Sequence, residues 1–231
     1  MIESIRKMWK IPELRRKIIY TFLMLMLFRL VSVVPAPGID LVALKEQIAK
    51  GTASTGVFGL FSMMTGNAFE QMSIMAMGIT PYINASIIMQ LLTIAIPALE
   101  RLSKEEDGRQ KINRITRYVT VVLAALQAIG LVRALEVLDR SSWLNYALVG
   151  ISMAGGTALA MWIGERITEK GIGNGISLLI FVGIISNITN GLVRAFGNGL
   201  MGAGLSAWIE VVVILITCVI MTVIVTFVEL G

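Results

Sequence analysis

Residues 51–99 read GTASTGVFGL FSMMTGNAFE QMSIMAMGIT PYINASIIMQ LLTIAIPAL, and Glu70 is the single charge among them. A bilayer crossing needs about 20 apolar residues. The tract is long enough for two crossings, but Gly66, Gly78 and Pro81 break it near its middle. The part from Val57 to Phe69 is too short to span, and Ser62, Thr65, Gly66 and Asn67 interrupt it. The part from Ser73 to Leu99 is long enough alone. This reads as a short half-helix that dips in from one face and returns, followed by a full helix that starts inside the protein body. Irregular backbone at membrane depth persists only where protein buries it or where it lines a watery cavity. The tract therefore points to a channel or transporter, with itself at the centre.

The rest of the chain agrees with a polytopic, all-α membrane protein. It is 56% hydrophobic with a mean hydropathy of +0.80, and its charges gather in short clusters. The 22 glycines and 14 methionines suit close or adaptable packing inside a membrane. There is no histidine, and Cys218 stands alone in an apolar run, so neither a disulfide framework nor a thiolate metal site is available. A net charge of +5 could signal nucleic acid. Here the basic residues sit beside apolar spans, which is the pattern of membrane orientation and of attraction to anionic lipid. No direct nucleic-acid site is expected. The first apolar run follows a basic amphipathic stretch and lacks a small-residue cleavage site, so it is expected to stay as an anchor.

Six crossings are expected besides the half-helix. The first covers Ile18 to Val34 and ends at Pro35-Ala36-Pro37-Gly38, where two prolines forbid further helix. The second ends near Pro97. The third runs from Tyr118 to about Leu138. The fourth, Trp143 to Ile163, carries Gly150, Ser152, Gly155 and Gly156, which let helix backbones approach. A fifth covers about Ile172 to Val193, and the sixth covers Val211 to Val228.

Lysine and arginine fix the topology. Arg6, Lys7, Lys10, Arg15, Arg16 and Lys17 precede the first span. Arg101, Lys104, Arg109, Lys111, Arg114 and Arg117 fill the loop after the second, and Arg166 and Lys170 follow the fourth. The opposite side has Lys45, Lys50, Arg140 and Arg194, with Arg133 near that end of its helix. The richer side, amino terminus included, is expected to face the cytoplasm. A full crossing at Val57 to Phe69 would turn the loop from Arg101 to Arg117 outward, so the charges exclude it.

Few residues offer chemistry. Gly171-Ile172-Gly173-Asn174-Gly175 resembles a phosphate cradle, but it lacks the P-loop lysine and hydroxyl, and no strand precedes it. It reads as a flexible turn opening the fifth helix. Glu105, Glu106 and Asp107 read as a solvated face. Arg29 lies inside the first span, where a charge is a functional hypothesis. It stands only about 7 Å of helix rise from Val34, so snorkelling to the outer interface is an equal alternative. No catalytic triad, metal cluster or redox motif is present, and the expectation is of a non-enzyme without cofactor. In the second helix, Ile79 and Ile83 are spaced i, i+4 on one face, where they could narrow a passage that excludes ions by dewetting. Spacing alone admits two core isoleucines equally well. Asn84, Ser86 and Gln90 are expected to face another helix or water, because an unpaired polar group at that depth is costly.

Three long runs carry a family resemblance. Phe28-Arg29-Leu30 through Val34-Pro35-Ala36-Pro37-Gly38-Ile39-Asp40 is the first. Gly78-Ile79-Thr80-Pro81-Tyr82-Ile83-Asn84-Ala85-Ser86 through Leu92 is the second, and Gly164-Glu165-Arg166 through Asn174-Gly175-Ile176-Ser177 is the third. In this order they resemble SecY, the central subunit of the bacterial protein-conducting channel, over essentially the whole chain. The resemblance implies two five-helix halves of inverted topology around an hourglass pore, in the bacterial cytoplasmic (inner) membrane. It divides the chain into a cytoplasmic basic arm (1–17), a first half (18–196) with a plug at 57–70, and a connector with the sixth helix (197–231). The plug would include Phe58, Leu60, Phe61, Met63 and Met64. The pore ring would take Ile79 and Ile83 and, through the alignment of Gly175-Ile176-Ser177, Ile180. A lateral gate would use Asn84, Ile87 and Gln90 with Gln127, and would admit signal sequences and membrane helices sideways. Implied partners are the remaining SecY half with four further helices, the small membrane subunits SecE and SecG, a SecA motor ATPase or a ribosome, signal sequences and nascent polypeptides, and anionic lipid. A solute transporter fits less well, because the central helices offer chiefly Asn84, Gln90 and Gln127 as polar ligands. A half-channel pairing with an inverted copy of itself would need a balanced charge bias, which the lysine and arginine count lacks.

Overall fold

The computed structural model describes residues 11–40, 43–44, 65–66, 68–69, 71–105, 107–135, 143–200, 216–217 and 219–228, with the side chains of 188–200 left aside. The described elements are helices α1 (Pro12–Ser32), α2 (Thr80–Ala95), α3 (Pro97–Lys104), α4 (Gly108–Leu135), α5 (Trp143–Lys170) and α6 (Gly175–Leu200), followed by α7 (Val219–Val228). The chain divides into two compact units, Met1–Ile184 and Ile185–Gly231, with the boundary inside α6. In the second unit α6 continues to Leu200, and the described side chains of α7 are exposed along its length.

In the first unit α1 opens with Pro12, whose missing N–H is no loss at the first helical position. It therefore starts six residues before the expected Ile18. It stops at Ser32, ahead of Pro35 and Pro37. The chain after it then pairs with the approach to α2. Ala36 N donates to Met72 O at 3.0 Å, and Ile74 N donates to Val34 O at 2.9 Å, around an antiparallel bridge of Pro35 with Ser73. Residues 71–79 form successive turns instead of the helix expected from Ser73. Met72 N donates to Phe69 O (2.9 Å), Ala76 N to Ser73 O (2.8 Å) and Gly78 N to Met75 O (2.8 Å). Gly78 at φ +53° ends these turns, and Pro81 in the first turn of α2 starts the helix. Met72, Ser73 and Ala76 are fully buried, so this irregular backbone is enclosed by protein and internally bonded.

α2 breaks at Ile96, and α3 leaves it at 102° with Pro97 in its first turn. The basic stretch from Arg101 to Arg117, expected as a loop, is instead α3 and the first turns of α4 around a short turn. Extended at their basic ends, α4 and α5 are each 28 residues long. They run antiparallel. Arg117 of α4 reaches Glu165 of α5 at 2.8 Å, while Leu131, Val132 and Leu135 share a core with Val149 and Met153. Thr21 in the middle of α1 accepts from Ile172 N, just past α5, at 3.1 Å. The first half of α1, the start of α4 and the end of α5 therefore lie toward one end, with their basic residues. By length and composition α4 and α5 each suffice to cross a membrane, and α2 with α3 makes a third if the bent pair counts as one span. Arg15, Arg16, Lys17 and Arg29 keep α1 below that standard, and the described apolar parts of α6 and α7 are short.

The outer faces are apolar: Phe22, Met26, Leu30, Val122, Leu126, Leu144 and Ile151 are all more than half exposed. Two interior hydroxyls of α4 bond within the helix, Thr116 to Ile112 O (2.9 Å) and Thr120 to Thr116 O (2.7 Å). Of the small residues expected to allow approach in α5, Gly156 is the critical one. A Cβ there would overlap the carbonyl of Ile74 in the buried turns, whereas one at Gly155 would meet nothing within 4 Å. Gly156→Ala is expected to cost about 1–3 kcal/mol through overpacking, and Gly155→Ala to be neutral. Thermal unfolding in detergent would separate them, and equal midpoints would contradict the packing.

Candidate functional site

The most distinctive cluster of the first unit lies where α2, α5 and α6 meet α1. Phe28, Met75, Ile79, Ala160, Ile163, Ile167 and Leu179 are buried together, and Tyr82, Ile83, Ile176, Leu178 and Ile180 pack against them. Ile79, Ile83 and Ile180 are thus drawn into one apolar cluster from helices about a hundred residues apart in sequence. They are not equivalent. Ile79 precedes the first residue of α2 and is 6% exposed, as a core side chain would be. Ile83 and Ile180 are half-buried and keep a free edge. A narrow cleft lined by Phe28, Thr65, Gly78, Thr80 and Leu179 also takes in Ile79 and Ile180.

Thr65, Gly66, Ala68 and Phe69 are the described part of the segment expected to be re-entrant, and all four are buried. Phe58, Leu60, Phe61, Met63 and Met64 lie outside the described residues. Along α2, Asn84 and Ser86 are half-buried, while Ile87 and Gln90 are exposed, so they share an outward stripe with Leu91 and Ile94. Gln127 lies on α4 with its Oε1 buried and lacking a hydrogen-bond partner among the described residues, as does Thr157 Oγ1 on α5.

The glycine-rich segment opens α6, as expected from its residues, but hydrogen bonds hold it where a flexible turn was expected. Asn174 Oδ1 accepts from Ile176 N at 3.0 Å, which caps α6. Thr168 Oγ1 accepts from Gly175 N at 2.9 Å, and Thr21 Oγ1 accepts from Ile172 N. Those backbone donors are turned to protein acceptors, which leaves no phosphate cradle there. Asn174→Ala is expected to cost about 1 kcal/mol through the lost cap. An unchanged unfolding midpoint would count against that role.

Sequence reasoning left Arg29 between two fates, and the geometry decides it. The guanidinium turns inward: Nη2 donates to Val182 O at 2.7 Å and Nη1 to Gly66 O at 3.2 Å. Snorkelling is thereby corrected. Carbonyls of a turn and a helix lie within its reach, and they offer a delocalised cation bonds that the outer interface would replace only with water. At the basic end, Lys104 hydrogen-bonds Glu100 at 2.7 Å and holds its carboxyl below the usual range. Glu105 likewise holds the Lys111 ammonium above its usual value across 2.9 Å. Both pairs are exposed and add little to stability. Arg166 stacks over Trp162 at 5.7 Å and pairs with Glu169.

Comparison with known proteins agrees with this architecture. Residues 73–231 match the SecY family model. A protein translocase subunit SecY of Streptomyces scabiei is 37% identical over 243 residues, covering 99% of this chain and 55% of the relative. Subunits of the same name from Aquifex aeolicus and Rickettsia typhi are 39% and 42% identical over 85% and 83% of this chain. The chain spans about half the length of the curated relatives it matches. Among solved structures, Sec61 of the canine ribosome-channel complex from the endoplasmic reticulum superposes with a TM-score of 0.59 at 20% identity, over 81% of this chain and 42% of that one. A solved protein-conducting channel superposes equally well over the same shares. At that identity the likeness speaks for the fold.

Proposed function

This chain belongs to the SecY family, and we propose that it serves as a protein-conducting channel subunit, passing polypeptides across the cytoplasmic membrane and releasing apolar helices into it. It is a multi-pass membrane protein, and its amino terminus and basic helix ends are proposed to face the cytoplasm. The observation that carries the reading is the convergence of Ile79, Ile83 and Ile180 on one apolar cluster beside the buried end of the re-entrant segment. Branched aliphatic side chains can yield around an extended chain while keeping hydrated ions out. The segment 57–70 would be the plug over this ring at rest. Residues 18–196 would form one half of the channel, and the second half would complete the ring.

The lateral gate would run along the exposed stripe of α2 with Asn84, Ile87 and Gln90, and would take in Gln127 of α4. An apolar signal sequence would leave by it because burial in lipid removes its surface from water. The small subunits SecE and SecG would brace the halves, a SecA ATPase or a ribosome would drive transport, and anionic lipid would meet the basic ends. The test uses proteoliposomes holding the full-length protein with its small subunits. ATP-dependent protection of a precursor from protease is expected with this subunit and absent without it. Equal protection in both would overturn the reading. A photoreactive signal sequence is expected to label Gln90 and Gln127 but not Trp143. Labelling at Trp143 alone would remove the gate assignment.

A further inference from the structure

Arg29 joins three elements that are distant in sequence. It lies in the last turn of α1, and its two hydrogen bonds reach across 37 residues to Gly66 and across 153 residues to Val182. Val182 follows Ile180 by two positions on α6, and Gly66 is buried within the segment read as a plug. The site is built for this contact. Gly66 has φ +60°, and a Cβ there would stand 2.9 Å from Nη1 of Arg29 and 2.7 Å from the carbonyl of Gly183. Only a glycine lets the turn, the guanidinium and α6 come this close. The partners of Arg29 among the described residues are backbone carbonyls, so the bonds break when the two backbones separate. A charge left without partners at this depth is strongly disfavoured.

We propose that Arg29 is a positioning residue that clamps the turn at Gly66 to α6 beside Ile180, so that the re-entrant segment leaves the constriction only by giving up the Arg29–Gly66 bond. This rests on the reading of residues 57–70 as a plug. The planar fork of arginine is required, because two carbonyls on separate elements must be met at once; a lysine ammonium keeps the charge but not that geometry. The clamp sets how much of the time an idle channel stays shut, and it touches no translocating chain.

The experiment records idle ion conductance of the full-length channel in planar bilayers for the parent, Arg29→Gln, Arg29→Lys and Gly66→Ala. Each is made with and without deletion of residues 57–64. Arg29→Gln is expected to raise the open fraction about tenfold, Arg29→Lys to raise it less, and Gly66→Ala to raise it by pushing the guanidinium aside. In the deleted background none should add a further rise. Where Arg29→Gln fails to insert, Gly66→Ala and Arg29→Lys carry the same test. A leaky deletion with parent-like substitutions would overturn the clamp and leave the plug reading standing. So would a rise of equal factor in both backgrounds, which marks a general loss of packing. A deletion that does not leak would overturn the plug reading, and the clamp with it.

Discussion

Ile83→Gly and Ile180→Gly, each made in the full-length channel, are expected to raise idle ion conductance by on the order of a hundredfold, because every ~1.4 kcal/mol taken off a barrier is a tenfold gain in rate. An ion entering a dry aliphatic neck loses its hydration without a polar replacement, and a glycine lets water follow it through. The two residues qualify because they are half-buried, with an edge that no described neighbour covers. Ile79 is a different case. At 6% exposure it is held among Phe28, Met75 and Leu179, so its truncation to alanine is expected to cost about 2–5 kcal/mol of stability and to leak less. Conductance at parent level in both glycine variants would remove Ile83 and Ile180 from the constriction. A destabilised, tight Ile79→Ala channel would show that one apolar cluster serves as core at one side and seal at the other.

Replacing Arg101, Lys104, Arg109, Lys111, Arg114 and Arg117 with glutamine is expected to divide the protein between two orientations. Six positive charges lie in α3 and the opening turns of α4, within reach of the membrane end of α2. Retention of short basic segments on the cytoplasmic side orients neighbouring spans. The first half of α1, the start of α4 and the end of α5 share this end, through Arg117–Glu165 and Thr21–Ile172, so the charges act together. A cysteine at Asn113 is expected to react only from the cytoplasmic face in the parent and from both faces in the neutral variant. Single-sided labelling after neutralisation would locate the orienting charges elsewhere.

Much of this architecture is legible in the residues because bilayer and backbone impose strict terms. Pro35 and Pro37 end α1, Pro97 marks the break after α2, and the irregular backbone is enclosed by protein, as the interrupted tract required. The helix ends were less legible. Hydropathy sees the apolar part of a helix, and α4 and α5 continue into Arg109–Arg117 and Glu165–Lys170, where side chains are charged but backbone bonding is unbroken. Helical periodicity likewise hides the turns at 71–79, whose cause is tertiary: Met72 adopts φ 43° to pair with Ala36, 36 positions earlier in the chain. Arg29 was visible as an anomaly but its partners were not, since carbonyls carry no sequence signal. Gly66, in a tract of weak pattern, was the available hint that something approaches closely.

The most direct measurement places a photoreactive amino acid at Ile83, at Ile180 and at Val122 in the full-length channel, then arrests an extended polypeptide midway through transport. The arrested chain is expected to be captured from Ile83 and Ile180 and to be missed by Val122, whose 59% exposure lies on the outer face of α4. Capture from Val122 with none from either isoleucine would place the moving chain outside this cluster and contradict the account.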